Sequence, residues 1–300
     1  MTDTQNEVFK SPVNKIRLFE HGAPGSQNLK LTRKYYTEDM PDGRVKHIVQ
    51  NITDPDIVPY IPDGIGNSTD RQRIPAVLII PGGAFRRLVY NFEGEDVAKW
   101  LNSMGIAAFV LECRLPSDEH DNAEDVPLID AMRAMRVIRG RAQEFGIDEA
   151  KIGVMGFSAG GFMAALLSTA YESDVYADYK YKDEYDKLSA RPDFAVCSYP
   201  VISIDDCIEA GKRYMSEEQV LERISDSKAK ILHKYNPDKL VRPDMPPVFI
   251  CETDDDRTTL SENSVGFYMA ARKAGVSAEL HIFRTGGHGY GCGDEFCTDW

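Results

Sequence analysis

The run Lys151-Ile152-Gly153-Val154-Met155-Gly156-Phe157-Ser158-Ala159-Gly160-Gly161-Phe162 carries more structural information than any other stretch of the chain. Its first part, 151–155, is apolar and short, as expected of a strand buried on both faces. Residues 160–170 that follow are small and apolar and read as a helix. Between them, Gly156-Phe157-Ser158-Ala159-Gly160 fills the strand, sharp turn, helix setting that a nucleophile elbow requires. Such a turn is tight, and glycine at 156 and 160 avoids Cβ clashes between strand and helix. Ser158 then stands at the tip, with its backbone at a helix N-terminus where unpaired N–H groups favour developing negative charge. The plainer alternative is a glycine-rich packing turn with an incidental serine. A phosphate-binding loop fits less well, because the Lys of G-x-x-x-x-G-K-[ST] is missing.

Outward from this segment, strands and helices alternate. Upstream, Ala76-Val77-Leu78-Ile79-Ile80 is an unbroken apolar run ended by Pro81-Gly82-Gly83. Residues 93–104 show helical spacing and stop at Gly105, residues 106–111 read as a second buried strand, and residues 127–145 as one long amphipathic helix. Downstream, 193–199, 247–252 and 278–283 read as strands and 262–273 as a helix ending near Gly275. This order predicts an α/β fold, a mostly parallel central sheet with helices on both faces. Residues 1–75 read as irregular, with short strands at 31–37 and 44–52 around the turn Met40-Pro41-Asp42-Gly43. Two stretches break the rhythm. Residues 171–191 are polar and Tyr-rich; residues 205–242 carry helical segments such as 216–224 and no clear strand. Both are expected as insertions over the sheet's carboxyl edge, forming a lid or pocket wall in one domain spanning 1–300.

The bulk properties narrow the function. The chain has 300 residues, 42% hydrophobic and 28% charged, an ordinary globular composition. Its net charge of −13 argues against nucleic acid, which needs clustered Lys and Arg. No stretch approaches the roughly 20 apolar residues of a membrane span, and the N-terminal Met1–Glu7 lacks the pattern of a secretory signal. Cys113, Cys197 and Cys251 sit in apolar strand-like segments, as small hydrophobes; Cys292 and Cys297 alone are weak grounds for a disulfide or metal pair. The expectation is a cytoplasmic protein with reduced thiols, no metal and no cofactor.

A serine hydroxyl needs a base to become a nucleophile. Of six histidines, His21 and His47 precede the sheet, His120 lies in a charged loop, His233 in an insertion and His281 within the last strand. His288, in Thr285-Gly286-Gly287-His288-Gly289-Tyr290-Gly291, follows the last strand in a glycine-rich loop that can carry an imidazole over the elbow. The orienting acid is expected after strand 247–252, where Asp254, Asp255 and Asp256 stand in a row. Three adjacent carboxylates repel one another, so one serves the imidazole and the others are solvated or capping. The order Ser, Asp, His is that of an elbow-type hydrolase. Finally, Pro81-Gly82-Gly83-Ala84-Phe85 can aim backbone N–H groups at an oxyanion together with that of Ala159.

With these pieces in place the chain resembles a known group. The resemblance is carried by His21-Gly22-Ala23-Pro24-Gly25, Ile80–Phe85, Glu93-Gly94-Glu95-Asp96-Val97-Ala98-Lys99-Trp100-Leu101-Asn102, Asp130–Arg136, Gly156–Gly161 and Gly287-His288-Gly289. It is to the small α/β-hydrolase esterases that include acetyl xylan esterases and feruloyl-esterase-like carbohydrate esterases, related to the hormone-sensitive-lipase and prolyl-oligopeptidase branches. It implies a serine esterase that deacetylates xylo-oligosaccharides or similar sugar esters through an acyl-enzyme. In that family the catalytic Asp is followed by Val-Pro and then Glu-Asn-Ser. Counting back from Glu262-Asn263-Ser264 puts it at Asp256, with Thr259-Leu260 in place of Val-Pro and Asp255 as second choice. The resemblance likewise implies oxyanion donors at Gly83 or Ala84 with Ala159. Ala84 replaces a usual third glycine, Phe162 a frequent histidine, and the chain stops at Trp300 without the helix that normally follows the histidine loop. Two rival readings are a peptidase of the prolyl-oligopeptidase branch and a non-catalytic binding protein on the same fold. The partner expected is a small-molecule or oligosaccharide ester, with no nucleic acid or membrane; self-association into a homo-oligomer is left open.

Overall fold

The computed structural model describes residues 9–65, 73–213, 215–216, 218–220 and 227–292. Its frame is an eight-stranded sheet. In chain order the strands are β1 (Ile16–Arg17), β2 (Lys34–Asp39), β3 (Val45–Gln50), β4 (Asp56–Tyr60), β5 (Ile74–Ile80), β6 (Leu88–Val89), β7 (Ala107–Glu112), β8 (Ile147–Phe157), β9 (Ala195–Ser198), β10 (Val248–Thr253) and β11 (Ala278–Phe283). The large sheet runs β1-β4-β7-β5-β8-β9-β10-β11, and β2-β3-β6 form a small antiparallel sheet. From β7 to β11 every pairing in the large sheet is parallel, while β4 pairs antiparallel with β7 and with β1.

Helices α1 (Asp96–Ser103), α2 (Val126–Gly140), α3 (Ala142–Phe145), α4 (Ala159–Ala170), α5 (Ile204–Lys212), α6 (Ser227–Lys234) and α7 (Ser261–Lys273) fill the connections. The central strands are buried over their inner stretches, 76–80 of β5 and 152–157 of β8, with Ala76, Leu78, Ile79, Ile152 and Val154 wholly inaccessible. That burial is why they read as continuous apolar runs rather than alternating ones.

Three local features depart from the sequence expectation. The stretch 1–75 contains two strands of the large sheet, β4 and β1, which extend it beyond β7. The expected helix 93–104 opens with a π turn over Asn91–Glu95 before α1 begins. The expected helix 127–145 is two helices, because Arg141, after the poor helix former Gly140, leaves helical geometry (φ −104°, ψ 16°).

One buried ion pair touches two of the stretches that carry the family resemblance. Arg114 and Asp130 are both inaccessible and joined by Nε–Oδ1 and Nη2–Oδ1 contacts of 3.0 and 2.6 Å. Arg114 also donates to Ser26 Oγ at 2.8 Å and to the carbonyl of Pro24. The guanidinium thus ties the end of β7, α2 and the 22–26 loop together.

The two interrupting stretches take different places. Residues 171–191 bond to the flank of α2, through Arg133 to Asp183 and Arg136 to the Leu188 carbonyl, and to Gly22 through Tyr179. Tyr171 reaches Asp244, just ahead of β10. These partners set 171–191 along α2, with Tyr179 reaching the 22–26 loop. Residues 205–242 contact the head of α2: Lys234 donates to Asp125 at 2.7 Å, and α6 packs on the turn Pro116–Asp118. Among their described residues there is no strand.

Candidate active site

Ser158 follows the last residue of β8 and precedes the first residue of α4. It has φ 53° and ψ −116°, a region L-residues rarely occupy, and its amide is held by Ser198 O at 3.0 Å. The flanking glycines are forced by contact. A Cβ on Gly156 would come within 2.0 Å of Gly160 O, and one on Gly160 within 1.9 Å of Ile80 O. The elbow therefore forms only with glycine at both positions.

The structure brings the three expected side chains into one hydrogen-bonded row. His288 Nε2 lies 2.9 Å from Ser158 Oγ, and His288 Nδ1 lies 2.6 Å from Asp256 Oδ2. Asp256 is buried in the turn after β10. Its Oδ1 accepts from the amides of Thr258 and Thr259 at 2.6 and 3.0 Å, and its Oδ2 also accepts from Thr259 Oγ1 at 2.9 Å. Burial alone would raise its pKa; the bonds from His288 and the two amides outweigh burial and hold the carboxyl below the usual range. Thr259, where the family has Val, thus supplies two of the donors.

The other carboxylates of the row divide as electrostatics requires. Asp255 is exposed and accepts from the amide of Gly287 at 2.8 Å, fixing the histidine loop from outside. Asp254 is exposed, and only its backbone amide is engaged, on Phe283 O at 2.7 Å. The remaining histidines lie elsewhere: His281 beside Glu279 on β11, His47 stacked on Phe9, His21 against Tyr181, His120 buried on Ser26, and His233 exposed in the last turn of α6. Burial and the Arg114 charge push the His120 imidazole down to about 4.

Opposite the elbow, the turn after β5 carries Gly83, Ala84 and Phe85 at φ 136°, 57° and 61°. Gly83 O accepts from the amides of Arg86 and Arg87, which closes the turn. Ala159, as the first residue of α4, has no intrahelical acceptor for its N–H. Phe162, where a histidine is frequent, is buried against Phe85 with ring centroids 5.5 Å apart. A narrow apolar cavity of about 20 Å³ opens beside these amides, lined among others by Gly82, Phe85, Leu115, Ala159 and Met163.

Two acids at the site escaped the sequence reading. Glu93, on the π turn, is buried, and its Oε2 and Oε1 accept from the Gly82 amide at 2.8 Å and the Tyr199 hydroxyl at 2.9 Å. Glu252, near the end of β10, is inaccessible and accepts from its neighbour Thr253 N at 3.0 Å and from Ser264 Oγ at 3.2 Å. Burial, and then the Asp256 charge, push the Glu252 carboxyl up to about 9. The available signal was a glutamate at the end of an otherwise apolar strand, Pro247-Val248-Phe249-Ile250-Cys251.

Among the described residues, no group of three or more His, Cys, Asp or Glu side chains is placed to hold a metal ion, and no helix is long and apolar enough to cross a membrane. Cys113, Cys197, Cys207 and Cys251 are buried thiols; Cys297 lies outside the described residues, as do the N-terminal Met1–Glu7 and the chain end at Trp300.

Residues 65–270, more than half of the chain, match the family model described as BD-FAE. The chain belongs to the BD-FAE family. Within or near that family it is 31% identical over 223 residues to an acetylxylan esterase of Xylanibacter ruminicola, covering 74% of this chain and 42% of the relative. It is also 31% identical over 233 residues to endo-1,4-beta-xylanase B of Butyrivibrio fibrisolvens, covering 77% and 35%. The chain therefore spans less than half the length of these two relatives. Among solved structures, an acetyl ester-xyloside bifunctional hydrolase from Caldicellulosiruptor lactoaceticus superposes with a TM-score of 0.67 at 35% identity, over 93% of this chain and 88% of that one. Butyrate-bound Est2, an esterase of Thermogutta terrifontis, gives a TM-score of 0.60 at 26% identity, over 79% and 81%. The BD-FAE chain thus has the α/β-hydrolase fold of these esterases, as its resemblance implied.

Proposed function

We propose that this BD-FAE protein is a serine carboxylic-ester hydrolase that removes short acyl groups, acetyl foremost, from xylo-oligosaccharides or similar sugar esters. The observation that carries the reading is the row Ser158–His288–Asp256, with two hydrogen bonds of 2.9 and 2.6 Å. In the first step His288 takes the Ser158 proton as Oγ attacks the ester carbonyl. The oxyanion is held by the amides of Ala159 and of Gly83 or Ala84. His288 then gives the proton to the departing sugar oxygen, leaving an acyl-enzyme. Water, deprotonated by the same imidazole, attacks this ester, and the carboxylate leaves with Ser158 reprotonated. Asp256 holds Nδ1 and stabilises the imidazolium in both steps.

The small cavity beside Ala159 supports a short acyl group. Its lining is apolar and its free space narrow, which suits a methyl group. The similarity to an acetylxylan esterase and to an acetyl ester-xyloside hydrolase points to the same substrates. We read the chain as one domain in which 205–242 walls the substrate cleft, acting in the cytoplasm on oligosaccharides rather than polymer.

The test uses p-nitrophenyl acetate and acetylated xylo-oligosaccharides with wild type and Ser158→Ala. Turnover should fall by about 10⁴-fold or more in the variant, with an unchanged melting temperature, and a fluorophosphonate should label wild type at Ser158 only. Near-wild-type turnover by the variant would refute the assignment.

A further inference from the structure

The π turn at Asn91–Glu95 sits between two parts of the site that the chain brings together from distant places. On one side lies the oxyanion turn. The Gly82 amide donates to Glu93 Oε2 at 2.8 Å, and a Cβ on Gly82 would come within 2.7 Å of that oxygen and 3.0 Å of Ser158 Cβ. On the other side lies the histidine loop. The Gly291 amide donates at 3.0 Å to the Tyr199 hydroxyl, which in turn donates at 2.9 Å to Glu93 Oε1. A Cβ on Gly291 would meet Phe92 O at 2.7 Å, so the loop rests on the π turn directly. The Tyr199 ring stands edge-on to the His288 ring at 5.0 Å and to the Tyr290 ring at 4.5 Å.

The turn is itself anchored. Asn91 accepts from the His47 amide at 2.9 Å and donates to Val45 O at 2.8 Å, which fastens it to β3. Wide π turns interrupt helices at functional sites more often than elsewhere. Here the extra residue lets Glu93 point into the site while α1 keeps its apolar face on the sheet. A wholly buried carboxyl that makes two hydrogen bonds, one to each half of a catalytic centre, has no evident use in the core: an apolar residue there would avoid its desolvation.

We infer that Glu93 is a positioning residue that joins the oxyanion turn to the histidine loop through Tyr199. The inference rests on the reading of Ser158 as nucleophile. One carboxyl fixes Gly82, hence the direction of the Gly83 and Ala84 amides, and through the Tyr199 hydroxyl fixes Gly291, hence the height of His288 above Ser158. The Tyr199 hydroxyl stays protonated for this role, since burial and then Glu93 raise its pKa well above the ordinary value. Both donors and base are thereby set before substrate arrives, which is where the largest electrostatic contribution to catalysis arises.

The full chain is assayed with p-nitrophenyl acetate as wild type, Glu93→Gln, Glu93→Ala and Tyr199→Phe, with melting followed by circular dichroism. Small misplacements of reacting groups lower rates steeply, so Glu93→Ala should lose about 100-fold and Tyr199→Phe about 10-fold in kcat, with KM within about threefold. Glu93→Gln can accept from Gly82 and donate to the Tyr199 oxygen, and should recover most of kcat. If Glu93→Ala fails to fold, Tyr199→Phe and Glu93→Gln decide. A folded Tyr199→Phe with wild-type kcat overturns the inference, as does a Glu93→Gln enzyme as slow as Glu93→Ala or a loss confined to KM. Failure of a fluorophosphonate to label wild-type Ser158 would overturn the hydrolase reading itself, independently of these variants.

Discussion

Glu252 and Asp256, two carboxyls four residues apart at the end of β10, are buried side by side behind His288, and their surroundings push their pKa values in opposite directions. Asp256 receives two amides, a hydroxyl and the imidazole, whereas Glu252 receives one amide and one hydroxyl. Two charges cannot share so dry a place, and the better-solvated one keeps its charge. Glu252 is then a neutral acid whose proton can serve Asp256.

This arrangement makes stability depend on pH. The Glu252 carboxyl moves from an ordinary 4.5 up to about 9 in the fold, so between these values the native state holds a proton that the unfolded chain releases. Stability from this group is complete below about pH 4.5 and is lost steadily as pH rises toward 9. Glu252→Gln keeps an N–H donor without the titration. Its melting temperature should equal that of wild type near pH 4.5 and exceed it by about 5 °C or more at pH 8. A difference that stays constant from pH 5 to 8 would show that Glu252 is ionised in the fold.

The three aspartates after β10 should separate cleanly in kinetics. Asp256→Asn removes the acceptor on His288 Nδ1 and presents the wrong tautomer, at a cost of about 10³ to 10⁴ in kcat. Asp255→Asn weakens only the exposed bond to the Gly287 amide and should cost about fivefold or less. Asp254→Asn should be neutral. Steady-state rates on p-nitrophenyl acetate decide, and equal losses for Asp255 and Asp256 would contradict the geometry.

Much of this was legible in the chain because buried parallel strands leave continuous apolar runs, as in β5 and β8, and because the elbow glycines are imposed by local contact. Ser158, His288 and the turn Pro81–Phe85 could be picked out as candidates from their positions after those strands. What was hidden depends on tertiary context. β4, with Pro59 inside it, gains strand geometry from its partners β7 and β1. The choice among Asp254, Asp255 and Asp256 turns on which amides converge on one carboxyl, and residue spacing alone does not encode that. Glu93 lies on a helical pattern and takes its buried place because the turn widens there. The position of 171–191 is set by Arg133, Arg136 and Tyr179, whose partners are 50 or more residues away.

The Arg114–Asp130 pair is expected to govern stability rather than turnover. Removing one partner leaves an uncompensated buried charge, so Asp130→Ala should lose about 3–5 kcal/mol in urea unfolding. The double change Arg114→Met with Asp130→Leu removes both charges and should regain most of that loss. If Asp130→Ala unfolds at wild-type urea concentration, the pair is not the clamp on the 22–26 loop that its contacts indicate.

Acyl selectivity offers the sharpest test of substrate class. The cavity beside Ala159 is lined in part by Met163 from α4 and by Phe85 from the turn after β5, both buried. Met163 is the better residue to shorten, since Phe85 belongs to the turn that aims the amides. Met163→Ala should open room for two further methylenes without touching Ser158 or His288. Each methylene in an apolar pocket is worth about 1–3 kcal/mol, so the butyryl-to-acetyl ratio of kcat/KM should rise by about 10-fold or more. The rate on p-nitrophenyl acetate itself should change little, because a methyl contacts only the mouth of the enlarged space. Were Met163→Ala to leave the ratio unchanged, the acyl chain would have to lie elsewhere, along the 205–242 wall, and the size argument for acetyl would fail with it.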